Sequence, residues 1–335
     1  MSIEPKIDFV IPWVDGNDEI WKSEKNKYIK KQTLNSDCSE KRFRDWENLR
    51  YWFRGVEKFA PWVNKVYFIT YGHIPDWLNI KHSKLKIIKH KDFIPKKYLP
   101  TFSSHVIELN LHRIKDLEEK FVYFNDDLFL INNTLPKDFF YKGLPCDSAI
   151  LKILNYDPSH LFVMSPYRNT GIINKYFSKK QIFKNIFKWL NFKYGYRNLL
   201  TLYLLFWPKI PGLRQQHLAN SFCKNTYEEL WKKEENLLNE TCTHKFREIS
   251  DVNQWLFKDY QIISGNFYPR SLKIGKSFTL SKNDYMLSYN YIVEQKGKMI
   301  CMNDTELSDN DFEIIKEKIK EAFFKILPEK SSFEK

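Results

Sequence analysis

The fold of this chain is decided near its start, where residues 7–18 read IDFVIPWVDGND. The apolar run 7–14 ends in a polar turn that contains Asp15 and Gly16. A short apolar run bounded by a Gly-containing turn is typical of a buried strand. The stretch therefore predicts a strand with Asp15 at its carboxyl end.

The same strand pattern recurs downstream and alternates with helical patterns. It predicts strands over Val66–Thr70, Leu85–Lys89 and Phe121–Phe124, and helices over Asp45–Phe59 and from Ser103 or Ser104 to Leu117. This alternation predicts an α/β fold, here a Rossmann-like open sheet with flanking helices. Ligands bind such sheets beyond the carboxyl ends of the strands, so we expect the crevice at Asp15 and at the pair Asp126-Asp127.

Composition excludes several classes of protein. The chain has 335 residues, a net charge of +13 and 17% aromatic residues, which argues against disorder because so much apolar surface can form a large core. Five cysteines without a CxxC pair disfavour a disulfide framework and a zinc ribbon. The sequence has no P-loop, GxGxxG or GxSxG motif. It shows neither a secretory signal nor an apolar run of about 18 residues, so we predict a cytoplasmic protein without a transmembrane helix.

Residues 176–213 differ in character, because basic residues alternate there with aromatic ones. The apolar run Leu199–Trp207 is too short to span a bilayer but suits a helix lying in the membrane interface. Its positive charge would favour an anionic membrane surface. The alternative is an insertion packed on the domain with solvated lysines. We predict that 1–175 and 214–335 form the two parts of an α/β catalytic core, separated by the helical basic and aromatic insertion 176–213.

Two groups of side chains in the first part could carry chemistry. Asp126 and Asp127 are suited to hold Mg²⁺ or Mn²⁺ against a diphosphate, and an ordinary Asx turn is the alternative. His105, Glu108 and His112 are spaced to share one helix face. That face is interpreted as a metal site, an acid/base site or a polar face in contact with solvent.

Two residues in the second part are further candidates. On local sequence alone, a lone histidine such as His217 is more often structural than catalytic. Arg247 forms either a bidentate clamp on a phosphate or a surface ion pair.

Taken together, several stretches resemble the conserved regions of the Stealth proteins. The four regions resemble, in order, residues 7–18; residues 42–45, 60–62, 74–78, 99–104, 108, 112–114 and 125–127; residues 217, 243–247 and 251–252; and residues 300–304. One departure is Ala219, since the third region usually has a proline two residues after its histidine.

The resemblance implies sugar-1-phosphate transfer in the synthesis of capsular or exopolysaccharides. A hexose-1-phosphate or N-acetylhexosamine-1-phosphate would move from a UDP-sugar to a hydroxyl of a glycan acceptor, free or lipid-linked, forming a phosphodiester and releasing UMP. The positions that the resemblance marks are Asp15, Glu108, Asp127, His217, Arg247, Asn303 and Asp304.

We assign hypothetical roles to these positions. Asp127, with Asp126 as the weaker candidate, would hold the cation, and Arg247 would stabilise charge on the transferred phosphoryl group. His217 is the preferred general base because histidine titrates near neutral pH, and Glu108 is the alternative base. The remaining predicted substrate-binding residues are Asp15 and Gly16, near the uridine-ribose end, and Asn303, Asp304, His112 and Arg113.

Two other functions compete with this one. A metal-dependent glycosyltransferase would use the same acidic motif, but it would attack the anomeric carbon and release UDP instead of UMP. A basic nucleic-acid-binding protein would fit the net charge, but the basic residues form no recognised nucleic-acid module, so we expect no nucleic-acid partner.

Overall fold

The computed structural model describes residues 6–29, 36–37, 44–155 and 164–335 of the protein. Its strands are β1 Asp8–Pro12, β2 Ser36–Asp37, β3 Val66–Thr70, β4 Leu85–Lys89, β5 Lys120–Tyr123, β6 Leu128–Leu130, β7 Phe140–Tyr141, β8 Leu144–Asp147, β9 Asn220–Cys223, β10 Arg247–Glu248, β11 Tyr268–Pro269, β12 Gly275–Thr279 and β13 Met299–Asn303. Its helices are α1 Glu19–Ile29, α2 Leu49–Phe59, α3 His90–Phe93, α4 Ser104–Leu109, α5 Pro136–Phe139, α6 Ser165–Tyr176, α7 Lys179–Lys184, α8 Ile186–Trp189, α9 Arg197–Leu204, α10 Lys224–Lys233, α11 Glu235–Thr243, α12 Trp255–Ser264, α13 Tyr285–Val293 and α14 Asp309–Ile326.

The main sheet has the strand order β4-β3-β1-β5-β9. The first four strands run parallel, with Phe9 of β1 opposite Val66 of β3 on one side and Val122 of β5 on the other. Strand β9 closes the sheet antiparallel to β5, with Asn220 opposite Tyr123. The predicted α/β fold with an open, mostly parallel sheet is confirmed.

Both faces of this sheet are covered, which is why its central strand β1 is continuously apolar from Phe9 onward. Phe9 and Ile11 point into a core shared with α2, α13 and α14, while Val10 points into the core formed with α4, α6 and α10–α12. Side chains of a strand alternate between its two faces, so β1 serves both cores.

A second sheet, in the order β12-β13-β6, lies next to the end of β5. Strand β13 pairs antiparallel with β6, and the amide of Met302 donates to the carbonyl of Asp127 at 3.0 Å. This pairing brings the end of β13, and with it Asn303, beside the acidic turn that follows β5.

Two predicted helices differ from the structure at their ends. Helix α2 begins at Leu49 and not at Asp45, because Glu47 has φ = 54°, which a right-handed helix does not accommodate. Helix α4 ends at Leu109, since the Asn110 side chain donates to the carbonyl of Val106 at 2.8 Å and the chain tightens into a 3₁₀ turn, Leu111–Arg113.

The insertion 176–213 forms the short helices α7, α8 and α9. It is fastened to the body by the buried side chains of Ile182, Trp189 and Leu204. Leu213 at its end makes a bridge to Leu151. Within the described residues, no helix is both long enough and apolar enough to cross a membrane.

Candidate active site

A cleft of about 410 Å³ opens at the carboxyl edge of the main sheet, the edge at which the sequence predicts the crevice. Its lining includes most of the sequence-predicted site residues: Glu108, Asp126, Asp127, His217, Arg247, Asn303 and Asp304. A smaller cavity of about 130 Å³ adjoins it and shares Glu108, Asp126 and Arg247.

The strand directions explain how distant segments meet in this cleft. Asp126 and Asp127 follow the carboxyl end of β5. Because β9 runs antiparallel to β5, the residues before β9 lie at the same edge, and His217 is among them. The antiparallel edge strand is therefore what brings a residue from the second half of the chain to the acidic turn.

The ring of His217 is held from both sides. Its Nδ1 lies 2.7 Å from Asn303 Oδ1, and its Nε2 lies 3.1 Å from Asn125 Nδ2. The Asn303 amide nitrogen donates to Ser277 Oγ at 2.7 Å and to the carbonyl of Phe278 at 3.1 Å, which fixes the Asn303 oxygen toward the ring. Neutral His217 therefore carries its proton on Nδ1, and the lone pair of its Nε2, at the cleft wall, accepts from the Asn125 amide.

Asp127 lies beside that lone pair. Its Oδ2 is 4.0 Å from His217 Nε2 and 3.5 Å from Cys301 Sγ. Its buried Oδ1 has no hydrogen-bond partner among the described residues. Ligand atoms of Asp127, His217 and Cys301 lie within 4.8 Å of one another, which is compact enough to surround an ion.

The thiol of this group is a poor ligand for a hard cation. Burial, assisted by the Asp127 carboxylate, raises the pKa of Cys301 well above its ordinary value. The sulfur therefore stays protonated, and only a thiolate is an effective metal ligand. Asp127 and the Nε2 of His217 remain as the donors of the group.

Asp126 occupies a different electrostatic position from Asp127. It is exposed to solvent through the open cleft, yet the surrounding protein displaces enough water to raise its pKa to about 7. The charge of Asp127 acts in the same direction, and the guanidinium of Arg247 opposes both. The Asp126 carboxyl therefore holds a proton more readily than an ordinary aspartate does.

Arg247 is presented to the cleft by a clamped turn. Its Nη2 donates to Ser104 Oγ at 2.6 Å. The buried carboxylate of Asp251 accepts from His105 Nδ1 at 2.9 Å and from His244 Nδ1 at 2.7 Å, and it also accepts from the amide of Glu248 at 3.0 Å. These contacts join the segment 244–251 to α4 and hold the guanidinium over the acidic turn.

Glu108 is a buried residue of the cleft wall. Its Oε1 accepts from the Tyr123 hydroxyl at 3.4 Å and its Oε2 from the amide of Gln254 at 3.4 Å. Both contacts are long, so the carboxylate keeps capacity to accept a further hydrogen bond.

Some predicted site residues lie outside the cleft lining. His112 packs against Tyr227 and Trp231, and burial lowers its pKa to about 3. Arg113 donates to Asn110 and stacks on Trp231. The early end of α4 is the reason, since it turns both residues away from the face that His105 and Glu108 share.

Asp15 and Gly16 follow Trp13 and Val14, which do line the cleft, but neither is itself among the lining residues. The amide of Asp15 donates to His73 Nε2 at 2.8 Å.

Residues 42 and 43, part of the second resembling stretch, lie outside the described residues, as does Cys38. The other four cysteines are free thiols.

Sequence reasoning missed several residues of the site. Asn125 and Cys301 were within quoted stretches but had no role, although each adjoins a predicted residue. Ser277, which orients Asn303, offered no signal. Trp255, whose ring lies edge-on 6.0 Å from that of His217, begins α12 and offered none either.

Comparison with known families identifies this arrangement. Residues 5–33 match the model of Stealth protein conserved region 1, and residues 42–146 match that of Stealth protein conserved region 2. A capsular polysaccharide phosphotransferase WcwK of Streptococcus pneumoniae is 45% identical over 332 residues, 98% of each chain. The chain belongs to the Stealth family. The sequence-based recognition of this family is confirmed.

Other full-length relatives carry related names. An exopolysaccharide phosphotransferase cps2G of Lactiplantibacillus plantarum is 39% identical over 331 residues, covering 98% of this chain and 96% of the relative. A receptor polysaccharide phosphotransferase WefC of Streptococcus gordonii is 40% identical over 339 residues, covering 98% and 99%. This Stealth protein is therefore an enzyme, a phosphotransferase, as predicted.

Proposed function

We propose that this Stealth protein transfers a hexose-1-phosphate or N-acetylhexosamine-1-phosphate from a UDP-sugar to a hydroxyl group of a glycan. A phosphodiester forms and UMP is released. The observation that supports this reaction best is the convergence of an imidazole lone pair, a guanidinium and an acidic pair in one cleft. The polysaccharide phosphotransferase activity itself is the one that the full-length relatives are named for.

The chain's own residues can perform the proton and charge steps. The acceptor hydroxyl takes the place of the Asn125 amide at Nε2 of His217 and loses its proton to that nitrogen as its oxygen bonds to the β-phosphorus of the donor. The bond from that phosphorus to the bridging oxygen breaks, and UMP leaves with the oxygen. Arg247 stabilises charge on the non-bridging oxygens through its planar donors.

The residues present fit a divalent cation. Asp127 has a buried oxygen without a hydrogen-bond partner among the described residues, and oxygen donors suit Mg²⁺ or Mn²⁺. When bound, such a cation neutralises charge on the diphosphate. Because Nε2 of His217 cannot both bind a cation and accept a proton, we assign the cation to Asp127, with Asp126 as a second carboxylate, and the proton to His217. Glu108 is the alternative base.

The acceptor in this proposal is a glycan carried on a lipid at the cytoplasmic face of the membrane. Asp304 lies in the cleft wall, and Asp15 and Gly16 lie near it, so these three are proposed to contact substrate. A glycan is the acceptor class that agrees with the names of the relatives.

Product analysis tests the proposal. The enzyme is incubated with a panel of UDP-sugars, candidate glycans and Mg²⁺ or Mn²⁺, and the nucleotide product and the phosphorus NMR spectrum of the glycan are recorded. We expect UMP and a phosphodiester resonance. Release of UDP with a phosphorus-free product would show a glycosyltransferase reaction and refute the proposal.

A further inference from the structure

The insertion exposes an unusual concentration of large apolar side chains. Of the 19 such side chains that are exposed in the described part of the chain, 10 lie between residues 183 and 207. We name this surface the insertion face and define it by six of them: Phe183, Phe187, Phe192, Leu199, Tyr203 and Phe206. Phe187, Phe192 and Phe206 are each 86–87% exposed. Scattered single apolar residues are ordinary on a protein surface, but a concentrated group marks an interaction site.

Helix α9 shows that this exposure is directional. Its buried residues are Thr201 and Leu204, and Thr201 Oγ1 accepts from the amide of Leu151 at 3.3 Å. At 100° per residue, Leu199 and Tyr203 fall on the opposite side of the helix and are exposed, as is Phe206 just beyond its end. A surface helix of a water-soluble domain presents polar residues to solvent, whereas α9 presents apolar ones.

The charged side chains that the insertion itself contributes all have one sign. Residues 158–227 contain neither Asp nor Glu. Some lysines there are used internally, since the ammonium groups of Lys188 and Lys193 donate to the carbonyls of Gly265 and Pro269 at 2.6 and 2.8 Å. Lys180, Lys184 and Lys209 remain exposed to solvent. The surface thus combines apolar side chains with cations that no carboxylate of the insertion can neutralise.

We propose that the insertion face docks on an anionic membrane surface. Aromatic and leucine side chains would enter the headgroup boundary, and the exposed lysines would lie against negatively charged headgroups. A second copy of the chain is a poorer occupant, because pairing this face with itself would bring like charges together. The proposal goes beyond the transfer reaction and does not depend on which donor or acceptor is used.

Vesicle flotation of the full chain tests the docking. Phosphatidylcholine vesicles with and without phosphatidylglycerol are compared at low salt and at about 1 M salt, where the Debye length is about 3 Å. We expect flotation only with phosphatidylglycerol, weakened at high salt. Absence of flotation with anionic vesicles at low salt would overturn the proposal.

Matched variants locate the contact. Each lysine near an anionic surface contributes about 1 kcal/mol, which at 1.4 kcal/mol per tenfold is a roughly fivefold change in the membrane partition coefficient. The double variant Lys180→Gln with Lys184→Gln should therefore lower that coefficient about 25-fold. The control pair Lys86→Gln with Lys91→Gln alters two exposed lysines remote in sequence from the insertion and should leave it unchanged.

The apolar contribution has its own pair. The double variant Phe187→Ser with Phe206→Ser should reduce partitioning by at least about tenfold. The control Phe324→Ser changes an exposed phenylalanine of α14, a helix that packs on the core containing Phe9 and Ile11, and should leave partitioning unchanged. All these residues are exposed, so unchanged melting temperatures are expected. Equal losses in test and control variants would overturn the proposal. So would a wild-type dimer in light scattering that Phe187→Ser dissociates, since the face would then be an interface between copies.

Discussion

Replacing Asn303 by alanine separates the positioning of His217 from its chemistry. In the structure, Asn303 Oδ1 accepts from His217 Nδ1 at 2.7 Å, and this contact selects the ring form with its lone pair on Nε2. Without it, the ring can carry its proton on Nε2, in which form it is unable to accept a proton from the acceptor hydroxyl. The variant Asn303→Ala should therefore lower kcat.

The size of the effect follows from the hydrogen bond that is lost. A neutral hydrogen bond contributes about 0.5–1.5 kcal/mol net, which corresponds to a change of roughly 2–13-fold in the population of the productive ring form. Removing the base itself should cost about 10²–10⁴-fold. Ser277→Ala removes one of the two contacts that orient Asn303 and leaves the one to Phe278, so its effect should be smaller still.

The assay is UMP release at saturating donor for the three variants Ser277→Ala, Asn303→Ala and His217→Ala. We expect losses in kcat that increase in that order, with KM nearly constant for the first two, because a positioning residue does not bind substrate. A rise in KM with unchanged kcat for Asn303→Ala would instead make Asn303 a substrate contact. A loss equal to that of His217→Ala would also refute the reasoning.

Three further outcomes are expected from the same site. Arg247→Lys should lower kcat about 10²-fold, because lysine lacks the planar donor fork, and unchanged kinetics would remove Arg247 from the site. Asp127→Asn should abolish Mn²⁺ binding in calorimetry with Mn²⁺ alone, and retained affinity would place the cation elsewhere. The hydrogen bond from His244 to Asp251 raises the pKa of His244, so its stabilisation is complete below about pH 6.5 and is lost as the pH rises through the higher folded value. Urea unfolding should accordingly show wild-type stability falling more than that of His244→Gln as the pH rises above about 6.5, and parallel profiles would contradict this.

The sequence predicted what depends on local pattern and missed what depends on distant partners. Strands β3 and β4 were predicted at their observed bounds, since their apolar runs are short and clearly bounded. The face shared by His105, Glu108 and His112 was predicted from spacing alone, and the Asn110 side chain ends the helix before His112 joins it. A competing side-chain hydrogen bond of this kind is not visible in an apolar pattern.

The role of Asn303 illustrates why contacts between distant segments are not predictable from one sequence. The family resemblance marked the position and we predicted a substrate contact there, which stays a prediction; the structure adds a contact to His217, 86 residues earlier in the chain. Its orientation depends on Ser277 of β12, and that contact exists only because β12 and β13 pair in parallel register. Resemblance can mark a position as important, but the partner that explains its chemistry depends on strand register, which a single sequence does not specify.

A short segment of chain connects the end of the insertion to His217. The insertion ends at Leu213, which bridges to Leu151, and the amide of Arg214 donates to the carbonyl of Ile150 at 2.8 Å. Only four residues further on, the chain reaches His217 at the edge of the main sheet. The proposed docking surface and the proposed base are thus joined by a short segment anchored to the body. An acceptor held on a membrane lipid would then reach the cleft with much of its positioning done by the docking itself, because confinement to one surface replaces a search through solution.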